Sequence, residues 1–491
     1  MPVWLNELLP ILILLAAVTV VIARLPKVKG LEYSQAFRVR RVLNWVPLGL
    51  TYAFLYMGRY NLKVSQSAFG VIRDSAGEPM MTNTGFATIF MVGTMVYGFS
   101  FVINGPLTDR FGGKPAILIA AIGAALMNLL MGLGTWSMLN QGPAAAFMAD
   151  NFLVVFSVLY ALNMYSQSFG AVAIVKVNAP WFHVRERGVI GAVFGILISL
   201  GVYFAFDWSE IILRHLSMEW VFLMPALILL LFWLIDVFMV QGRPSLAGHP
   251  DIELGDATSD DKGPRKGAIE VFKMMLKNPI IMTIACIEFC SGFLRQAIMQ
   301  WYPSFARQTN DALGLLDGFV NRNWGMLLCC AGILGGVVAG VISDRVFQSR
   351  RGPVAGILYG IMLVGAVLLI FAYSTSLVGY LALYMSLAVI GVHGMLSGTA
   401  SMDFGGSKNA GIAVGIIDGF VYLGTGVMSL VYGLVLPTDQ LDASGQLVGP
   451  ATDPANWLAW PIAMVPLAAI GFFLALRVWN AKPKAKGGAT H

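Results

Sequence analysis

Two short polar stretches decide the fold of this chain. Residues 105–114 read Gly-Pro-Leu-Thr-Asp-Arg-Phe-Gly-Gly-Lys, and residues 340–345 read Gly-Val-Ile-Ser-Asp-Arg. Each stretch closes the second long apolar run of its half of the chain, and an arginine, Arg59 or Arg295, interrupts the run before it. The motif aspartate follows that arginine by 50 residues in the first half and by 49 in the second. This repetition predicts two related halves, as in transporters built from repeats with a site at their interface.

The residue types of the repeated Gly-x-x-x-Asp-Arg motif suggest a physical role. Glycine lets two helices approach closely, and an aspartate accepts hydrogen bonds at a helix start, where the helix dipole is positive. Asp109 and Asp344 are therefore candidates to hold a neighbouring helix, and Arg110 and Arg345 can bridge to the end of a facing helix. Such a cluster can lock one arrangement of helices and release it in another. The alternative is an ordinary solvated tight loop.

The composition excludes several classes of protein. Of the 491 residues, 57% are hydrophobic and only 12% are charged, about half the charged share that is usual in soluble domains. This low charged share excludes a soluble enzyme and a disulfide scaffold. A nucleic-acid-binding module is also excluded, because the net charge of +6 is spread between apolar runs and is not gathered on one face. The four cysteines lie in apolar stretches without a histidine at ligand spacing, so we expect no metal and no cofactor. No nucleophile–base grouping appears, so we expect no enzymatic activity.

Continuous apolar runs indicate helices that cross a membrane, because a bilayer core about 30 Å thick needs about 20 apolar residues per helix. We predict thirteen such helices, at residues 4–24, 44–70, 84–106, 115–136, 149–178, 188–208, 217–240, 279–302, 322–345, 353–375, 377–402, 410–435 and 455–479. The predicted fold is thus an all-α membrane protein. It divides into an extra N-terminal transmembrane helix (1–30), a six-helix bundle (31–240), a polar cytoplasmic linker (241–278), and a second six-helix bundle with a cytoplasmic tail (279–491).

Basic residues predict the orientation in the membrane, because cytoplasmic loops are enriched in Lys and Arg. Most of the 32 basic residues fall in loops and tails on one side, including the cluster at residues 38–41 and the C-terminal stretch at residues 482–486. We therefore expect the C-terminus in the cytoplasm and the N-terminus outside.

Several further motifs accompany the repeated loops. They are Tyr56-Met-Gly-Arg-Tyr-Asn61, Gln167-Ser-Phe-Gly170, Glu186-Arg-Gly188, Phe293-Leu-Arg295 with Trp301-Tyr-Pro303, and Ser407-Lys-Asn-Ala-Gly411. Over residues 38–480 the set resembles the major facilitator superfamily and, within it, the organophosphate:phosphate antiporter family, which includes the glycerol-3-phosphate and hexose-6-phosphate transporters. The resemblance implies the major facilitator fold of two six-helix bundles. It also implies a small organic phosphate as cargo and inorganic phosphate as counter-substrate.

The resemblance further implies that Arg59 and Arg295 clamp the phosphate of the cargo. The chemistry suits this residue type, because the planar guanidinium stays protonated and donates two parallel hydrogen bonds. A charge near the bilayer midplane costs at least about 2.5–3.5 kcal/mol, and two like charges facing one pocket cost more. The alternative is that each arginine pairs with an internal carboxylate. Glu288, seven residues before Arg295 on the same helix face, is the competing partner.

Other residues are candidates to line the same pocket. The substrate-binding candidates besides the two arginines are Tyr56, Tyr60, Lys63, Phe101, Tyr165, Gln167, Ile198 and Trp301. Tyr60, Phe101 and Ile198 stand where the resembling family has lysines or a histidine, which implies a more apolar pocket and a cargo with a larger apolar part. Lys63 either extends a basic vestibule or reaches the membrane interface with its ammonium. The polar candidates within the spans have interhelical hydrogen bonding as their alternative role.

Glu288, His393 and Asp418 are candidates for coupling and gating in the second half of the chain. They lie in or at the ends of apolar spans, and a buried acid can carry a proton in a coupled transporter.

The predicted function is alternating-access transport of a phosphorylated organic anion in exchange for inorganic phosphate. One alternative is a proton-coupled carrier of another organic anion that uses Glu288 or Asp418. A second alternative is a transporter-like membrane sensor of a sugar phosphate. We expect the chain to act as a monomer in the lipid bilayer of a bacterial inner membrane, with small molecules and no nucleic acid as partners.

Overall fold

Twelve long helices dominate the part of the chain that the structure describes. The computed structural model describes residues 11–12, 33–74, 77–183, 186–252, 267–347, 351–441 and 446–480. The helices are α1 (Gln35–Val71), α2 (Asn83–Phe111), α3 (Gly113–Leu139), α4 (Phe152–Asn178), α5 (Arg187–Tyr203), α6 (Trp220–Met239), α7 (Pro279–Gln308), α8 (Trp324–Val341), α9 (Arg351–Ala372), α10 (Val378–His393), α11 (Ser401–Val435) and α12 (Ala459–Arg477). Each of them overlaps one of the twelve core spans predicted from the sequence.

Ten of these twelve helices are long and apolar enough to cross a membrane. The other two are α8, whose apolar stretch is Trp324–Ala339, and α1, which carries Arg59 and Lys63 in its interior. The extra helix predicted for residues 1–30 lies outside the described residues, apart from a helical pair at Ile11 and Leu12. The chain is therefore an integral membrane protein with the predicted all-α fold.

Local sequence signals explain where helices begin. Ser34 caps α1 by accepting a hydrogen bond from the amide of Phe37 at 3.2 Å. Asn278 caps α7 through the amides of Ile280 and Ile281, with a proline at the first helical position. Side-chain oxygens at this position accept from amides that have no partner within the helix. Three helices continue into π-helical segments at Phe204–Trp208, Ile342–Val346 and Gly394–Ala400.

The predicted linker, residues 241–278, contains a helix that the sequence analysis did not identify. Residues Ala268–Leu276 are helical and pack against α7 and α11. Val271 and Met275 are one helical turn apart, and both are buried beside Ile281. The last part of the linker is therefore amphipathic and lies against the second half of the chain.

Glycine contacts bring the two halves together along α2 and α11. A Cβ atom on Gly98 would lie 3.0 Å from the carbonyl oxygen of Gly419, and one on Gly105 would lie 2.7 Å from the carbonyl oxygen of Gly411. Residues without a side chain permit backbones to approach this closely. A second contact between the halves joins α5 and α8. The first-half and second-half helices therefore meet along the length of the bundle.

We refer to the two ends of the bundle as the Asn83 end and the Asp109 end. At the Asn83 end, α1, α3 and α7 end and α2 and α8 begin. At the Asp109 end, α2 and α4 end and α5 and α11 begin. A small antiparallel hairpin joins α11 to α12, with β1 (Gln440–Leu441) paired to β2 (Leu447–Val448).

Candidate functional site

Arg59 lies in the interior of α1 and is fully buried. Its Nε donates to Gln167 Oε1 at 3.0 Å, one Nη donates to the hydroxyl of Tyr422 at 2.5 Å, and the other donates to the hydroxyl of Tyr97 at 2.8 Å. These partners belong to α4, α11 and α2, so both halves of the chain hold one guanidinium. Among the described residues, no carboxylate forms an ion pair with Arg59; its hydrogen-bond partners are Gln167, Tyr422 and Tyr97.

Helix α4 fixes the backbone of α1 at this point. Asn163 Nδ2 donates to the carbonyl of Gly58 at 2.9 Å, and the hydroxyl of Tyr160 donates to the carbonyl of Arg59 at 3.0 Å. Asn163 also accepts a hydrogen bond from Gln167 Nε2 at 2.9 Å. Polar side chains inside a membrane bundle stabilise helix–helix contacts in this way. The position of Arg59 is thus set through its backbone as well as through its side chain.

Aromatic rings surround the Arg59 guanidinium. Its Cζ lies 4.5 Å from the ring centre of Tyr56, 4.6 Å from that of Tyr97 and 5.4 Å from that of Tyr422. A desolvated cation at such distances gains about 2 kcal/mol or more from a ring face. Phe101 packs edge-on against Tyr97 with ring centres 4.8 Å apart. The structure therefore brings the predicted Tyr56 and Phe101 to the Arg59 site.

Arg295 lies on α7 in the second half and is only 6% exposed. Its Nε and one of its Nη atoms have no hydrogen-bond partner within the described part of the chain. The Tyr422 hydroxyl that accepts from Arg59 also interacts with Arg295. The neighbouring Gln296 donates to the hydroxyl of Tyr60 at 2.7 Å. A buried donor without a partner costs about 1–3 kcal/mol, and more when it is charged, so an acceptor from outside the chain would stabilise Arg295.

Tyr97 and Tyr422 are not among the predicted substrate-binding residues, although both contact Arg59. The sequence did contain a signal for them. Tyr97 precedes Phe101 by one helical turn, and Tyr422 follows Asp418 by one turn. Residues four apart share a helix face, so each tyrosine lies on the same face as a residue that was selected.

The predicted competitor for Arg295 is engaged elsewhere. Glu288 is fully buried on α7, and its Oε2 lies 2.8 Å from Nδ1 of His393 on α10. Asp418 on α11 accepts a hydrogen bond from Ser397. The alternative in which Glu288 pairs with Arg295 is therefore not observed. Seven residues place the two side chains on one face but about 10 Å apart along the axis, and Glu288 meets a neighbouring helix instead.

Lys63 and Trp301 form a separate group toward the Asn83 end. Lys63 Nζ donates to Gln66 Oε1 at 2.7 Å and to Ser304 Oγ at 2.6 Å. It also lies 4.3 Å from the ring centre of Phe86 and 5.2 Å from that of Trp301. Because Lys63 is only 6% exposed, its ammonium is buried between helices and is not exposed at the surface of the bundle. Its bond to Ser304 crosses from α1 to α7 and thus joins the two halves.

One of the predicted lining residues, Tyr165, lies away from the arginines. Tyr165 is 37% exposed on α4 and packs against Phe169. Gln167, two residues later, points to nearly the opposite side of the same helix and contacts Arg59, which explains the difference. Ile198 is half-buried on α5 and remains a predicted lining residue.

A lysine holds the aspartate of the first repeated loop. Lys176 Nζ, at the end of α4, lies 2.5 Å from Asp109 Oδ1, whereas Arg110 is exposed. The sequence analysis did not foresee this ion pair. Lys114 donates to the carbonyl of Val237 at 2.8 Å, near the end of α6, where the helix dipole favours a cation. The loop therefore joins α2 and α3 to the ends of α4 and α6.

The second repeated loop is described less completely. The backbone of Asp344 and Arg345 lies in the π-helical segment Ile342–Val346. The side chains of both residues lie outside the described part of the chain. Ser343 accepts a hydrogen bond from Arg351 Nη1 at 2.9 Å, which joins this segment to the start of α9.

A buried ion pair fastens the start of α1 to the start of α5 at the Asp109 end. Arg41 Nη1 lies 3.2 Å from Glu186 Oε1, and the hydroxyl of Tyr33 donates to Glu186 Oε2 at 3.1 Å. Burial and the neighbouring carboxylate raise the pKa of Tyr33 to about 12. The hydroxyl therefore stays protonated at physiological pH and remains a donor to Glu186.

The interior of the bundle suits an oxyanion. Two buried guanidiniums from different halves, with the Tyr422 hydroxyl in contact with both, offer charge-assisted donors to a ligand with several acceptor oxygens. Within the described residues, no group of three or more His, Cys, Asp or Glu side chains is placed to hold a metal ion.

Comparisons with known proteins point in the same direction. Residues 43–429 match the profile of the Major Facilitator Superfamily. A glycerol-3-phosphate transporter from Bacillus subtilis is 23% identical over 484 residues, covering 94% of this chain and 98% of that protein. Membrane sensor protein UhpC from Salmonella typhimurium is 23% identical over 411 residues, covering 80% of this chain and 85% of the sensor. A bacterial homolog of the human lysosomal transporter Spinster, solved inward-facing and unoccupied, has a TM-score of 0.64 at 12% identity, covering 93% of this chain and 100% of its own.

Proposed function

The chain belongs to the Major Facilitator Superfamily, whose members are membrane transport proteins rather than enzymes, and we propose that it exchanges a phosphorylated organic anion for inorganic phosphate. The relatives described above match the organophosphate:phosphate antiporter family that the sequence resembles. One of them is named a glycerol-3-phosphate transporter, which supports an organic phosphate as the cargo.

The observation that carries this proposal is the state of Arg295. Its Nε and one Nη are buried without a hydrogen-bond partner in the described residues, and no described carboxylate pairs with it or with Arg59. These two donors form one edge of a planar fork that matches two oxygens of a phosphate. Tyr422 interacts with both guanidiniums, so an anion beside its hydroxyl is within reach of both.

The cycle that follows from this geometry is alternating access. Arg59 and Arg295 belong to different halves, and water screens their charges while the cavity is open. Closing an empty cavity would desolvate two like charges that have no anion paired with them. A phosphate that carries about two negative charges offsets both and draws α1 and α7 together. Closure then requires cargo. Because the empty protein does not close, it cannot switch between the two sides of the membrane, and transport is limited to exchange of one cargo for another.

The apolar wall of the site bears on the type of cargo. Phe101 is fully buried beside Tyr97, and the hydroxyl of Tyr60 is already bonded to Gln296. Neither adds a charge to the two arginines. This supports a cargo with one phosphate group and an apolar remainder.

Thermal unfolding with phosphorylated metabolites tests the arginine clamp. Glycerol-3-phosphate, hexose phosphates and inorganic phosphate are added to the detergent-solubilised wild type and to Arg59→Lys and Arg295→Lys. Lysine keeps the positive charge but loses the two-donor fork, so we expect the ligand-dependent rise in Tm to disappear in both variants. Arg214→Lys is the matched control, because Arg214 is exposed and pairs only within its own helix turn with Glu210.

The outcomes separate the alternatives clearly. A rise in Tm that persists in both site variants contradicts a bidentate clamp. A rise that is lost in Arg214→Lys as well indicates a general effect of arginine replacement. A wild type whose Tm responds to none of these phosphates contradicts the proposed cargo class.

Similarity to a protein named as a membrane sensor supports a second candidate, a transporter-like sensor of a sugar phosphate. Counterflow in proteoliposomes distinguishes the two. Efflux of labelled phosphate that depends on external phosphate or organophosphate is expected of the exchanger. Binding without counterflow is expected of a sensor.

We further propose that the chain acts as a monomer in a bacterial inner membrane with the Asn83 end outside and the C-terminus in the cytoplasm. The excess of basic residues in the loops of the Asp109 side supports this orientation. An impermeant maleimide should therefore label a cysteine placed at exposed Asp317 in intact cells. Labelling that appears only after the membrane is opened contradicts the orientation.

A further inference from the structure

We propose that Glu288, His393 and Asp418 form a proton-binding site that takes up a proton when an organic phosphate binds, so that cargo and proton move together. This inference rests on the proposed function and adds the coupling ion to it. The three residues come from α7, α10 and α11 of the second half, and we refer to them as the acid–histidine cluster.

The cluster is buried, and its hydrogen bonding is incomplete within the described residues. Glu288 is fully buried, and Asp418 is 8% exposed. Glu288 Oε2 lies 2.8 Å from His393 Nδ1, whereas Glu288 Oε1 has no hydrogen-bond partner within the described residues. Ser397 donates to Asp418. A buried carboxylate oxygen without a donor is costly, and a proton is the smallest ligand that relieves this cost.

Other charged and polar groups of the described residues surround the cluster, including Tyr97 of α2, which is within electrostatic range of Asp418. On α7, Arg295 lies two turns from Glu288, and Asp418 is within electrostatic range of Arg295, Glu288 and His393. From α9, the hydroxyl of Tyr359 donates to the Ile287 carbonyl and thus faces Glu288 without bonding to it.

Two further groups lie near the cluster on its own helices. On α7, Cys290 is a thiol within electrostatic range of Glu288. On α11, Tyr422 follows Asp418 by one turn and bonds to Arg59 of α1. Lys63 lies beyond Arg59 toward the Asn83 end, where its charged neighbours are Arg307 and Asp439. The cluster and the two arginines therefore form one electrostatic unit in the interior.

The balance of charges in this unit explains why a proton should follow the phosphate. With His393 neutral, Glu288 and Asp418 balance the formal charge of Arg59 and Arg295 within this unit, although neither acid forms an ion pair with either arginine. A phosphate monoester brings about two negative charges into the same low-dielectric region. Like charges nearby favour the protonated form of a carboxyl group or of a histidine. Binding of the dianion therefore favours uptake of a proton from water by the acid–histidine cluster.

His393 contacts Glu288 and is within electrostatic range of Asp418, so its imidazole can bind the added proton. Nδ1 of His393 already faces Glu288, so an added proton converts a neutral pair into a hydrogen-bonded imidazolium–carboxylate pair, or else neutralises a carboxylate. The proton comes from solvent and returns to it when the cargo leaves, and no other chemical group changes. Exchange of one loaded form for another then moves protons in both directions.

Calorimetric titration of the full-length protein with glycerol-3-phosphate tests this inference. The titration is run in sodium-free solution at pH 8 in two buffers with different ionisation enthalpies. At this pH a phosphate monoester with a second pKa of about 6 is almost entirely a dianion, so the ligand itself supplies no proton. We expect the wild type to take up about one proton per ligand. We also expect its Kd to rise by up to about tenfold per pH unit above the titration of the site, as linkage requires.

The variants assign the proton to the cluster. Glu288→Gln mimics the protonated acid, so we expect it to bind glycerol-3-phosphate with a pH-independent Kd and without proton uptake. Asp418→Asn serves as the second variant where Glu288→Gln does not fold. Glu219→Gln is the matched control, because Glu219 is also buried, at 5% exposure, but lies in the first half. This control should keep both the proton uptake and the pH dependence of the wild type.

Each outcome bears on one claim. Wild-type binding without proton uptake and with a flat pH profile overturns the inference and leaves the proposed function standing. Uptake that survives unchanged in Glu288→Gln and in Asp418→Asn overturns the assignment to this cluster. Absence of any heat of binding from glycerol-3-phosphate and from inorganic phosphate overturns the proposed function, and the inference falls with it.

Discussion

Substitution of Asn83 directly tests the contacts that close the bundle at the Asn83 end. Its side chain is buried and joins the first half of the chain to the second. Its Nδ2 donates to Gln308 Oε1 at 2.8 Å and to the carbonyl of Pro437 at 2.9 Å, and its Oδ1 accepts from Gln308 Nε2 at 3.0 Å. The substitution Asn83→Ala removes all three of these contacts and leaves the backbone in place.

The magnitude of the effect follows from these contacts. One hydrogen bond contributes about 0.5–1.5 kcal/mol net, so three contribute about 1.5–4.5 kcal/mol to the closed arrangement. In an arrangement that is open at this end, water satisfies the same groups, and the substitution costs little there. Every 1.4 kcal/mol is a tenfold change in an equilibrium constant. We therefore expect Asn83→Ala to shift the closed–open equilibrium toward the open form by about 10- to 1,000-fold.

Pulsed spin-label distance measurements report this shift. Labels at Glu78→Cys and Asp317→Cys, in a background without the native cysteines, lie in different halves at the Asn83 end and are exposed. We expect a second, longer distance to become populated in Asn83→Ala. Asn140→Ala is the control, because the exposed Asn140 lies at the same end and bonds only to the carbonyl of Trp136. An unchanged distance distribution in Asn83→Ala, or an equal change in the control, refutes the reasoning.

Three other substitutions have defined outcomes. Gly98→Val should lower Tm by an amount equivalent to about 1–3 kcal/mol, because a side chain there meets the backbone of α11, while Gly336→Val, where the structure shows open space, should not. Lys176→Met should lower Tm by removing the Lys176 ammonium from the partly buried Asp109 carboxylate, and the added substitution Asp109→Asn should restore part of the loss. Asp207→Asn should lower the free energy of unfolding by about 0.5–2 kcal/mol, because the Asp207 carboxylate accepts hydrogen bonds from two amides at the start of α8. An unchanged Tm contradicts this.

The helices themselves could be predicted from the sequence because each needs only its own apolar run. α3 (Gly113–Leu139) and α7 (Pro279–Gln308) extend the predicted runs by a few residues at their ends, where polar residues continue the helix beyond the apolar stretch. The Arg59 position was also predictable, since a guanidinium inside an apolar run stands out by itself.

The partners of these residues could not be predicted, because they depend on how neighbouring helices are rotated. Glu288 has Arg295 on its own helix face, yet its partner is His393 of another helix. Lys176 pairs with Asp109, 67 residues away in sequence. A periodic pattern on one helix gives the face of a residue but not the helix that this face meets.

The contacts between α1 and α7 show how the site and the Asn83 end are linked. Tyr60 bonds to Gln296 at the level of the arginines, and Lys63 bonds to Ser304 nearer the Asn83 end. A phosphate held by both arginines adds a third connection between α1 and α7. Because each helix is rigid, this connection also restrains the ends of the two helices. Occupancy of the site and closure of the Asn83 end then stabilise each other to the same extent, because coupling between two equilibria is reciprocal. It follows that Asn83→Ala, which touches no residue of the site, should weaken phosphate binding by the factor by which it depopulates the closed form.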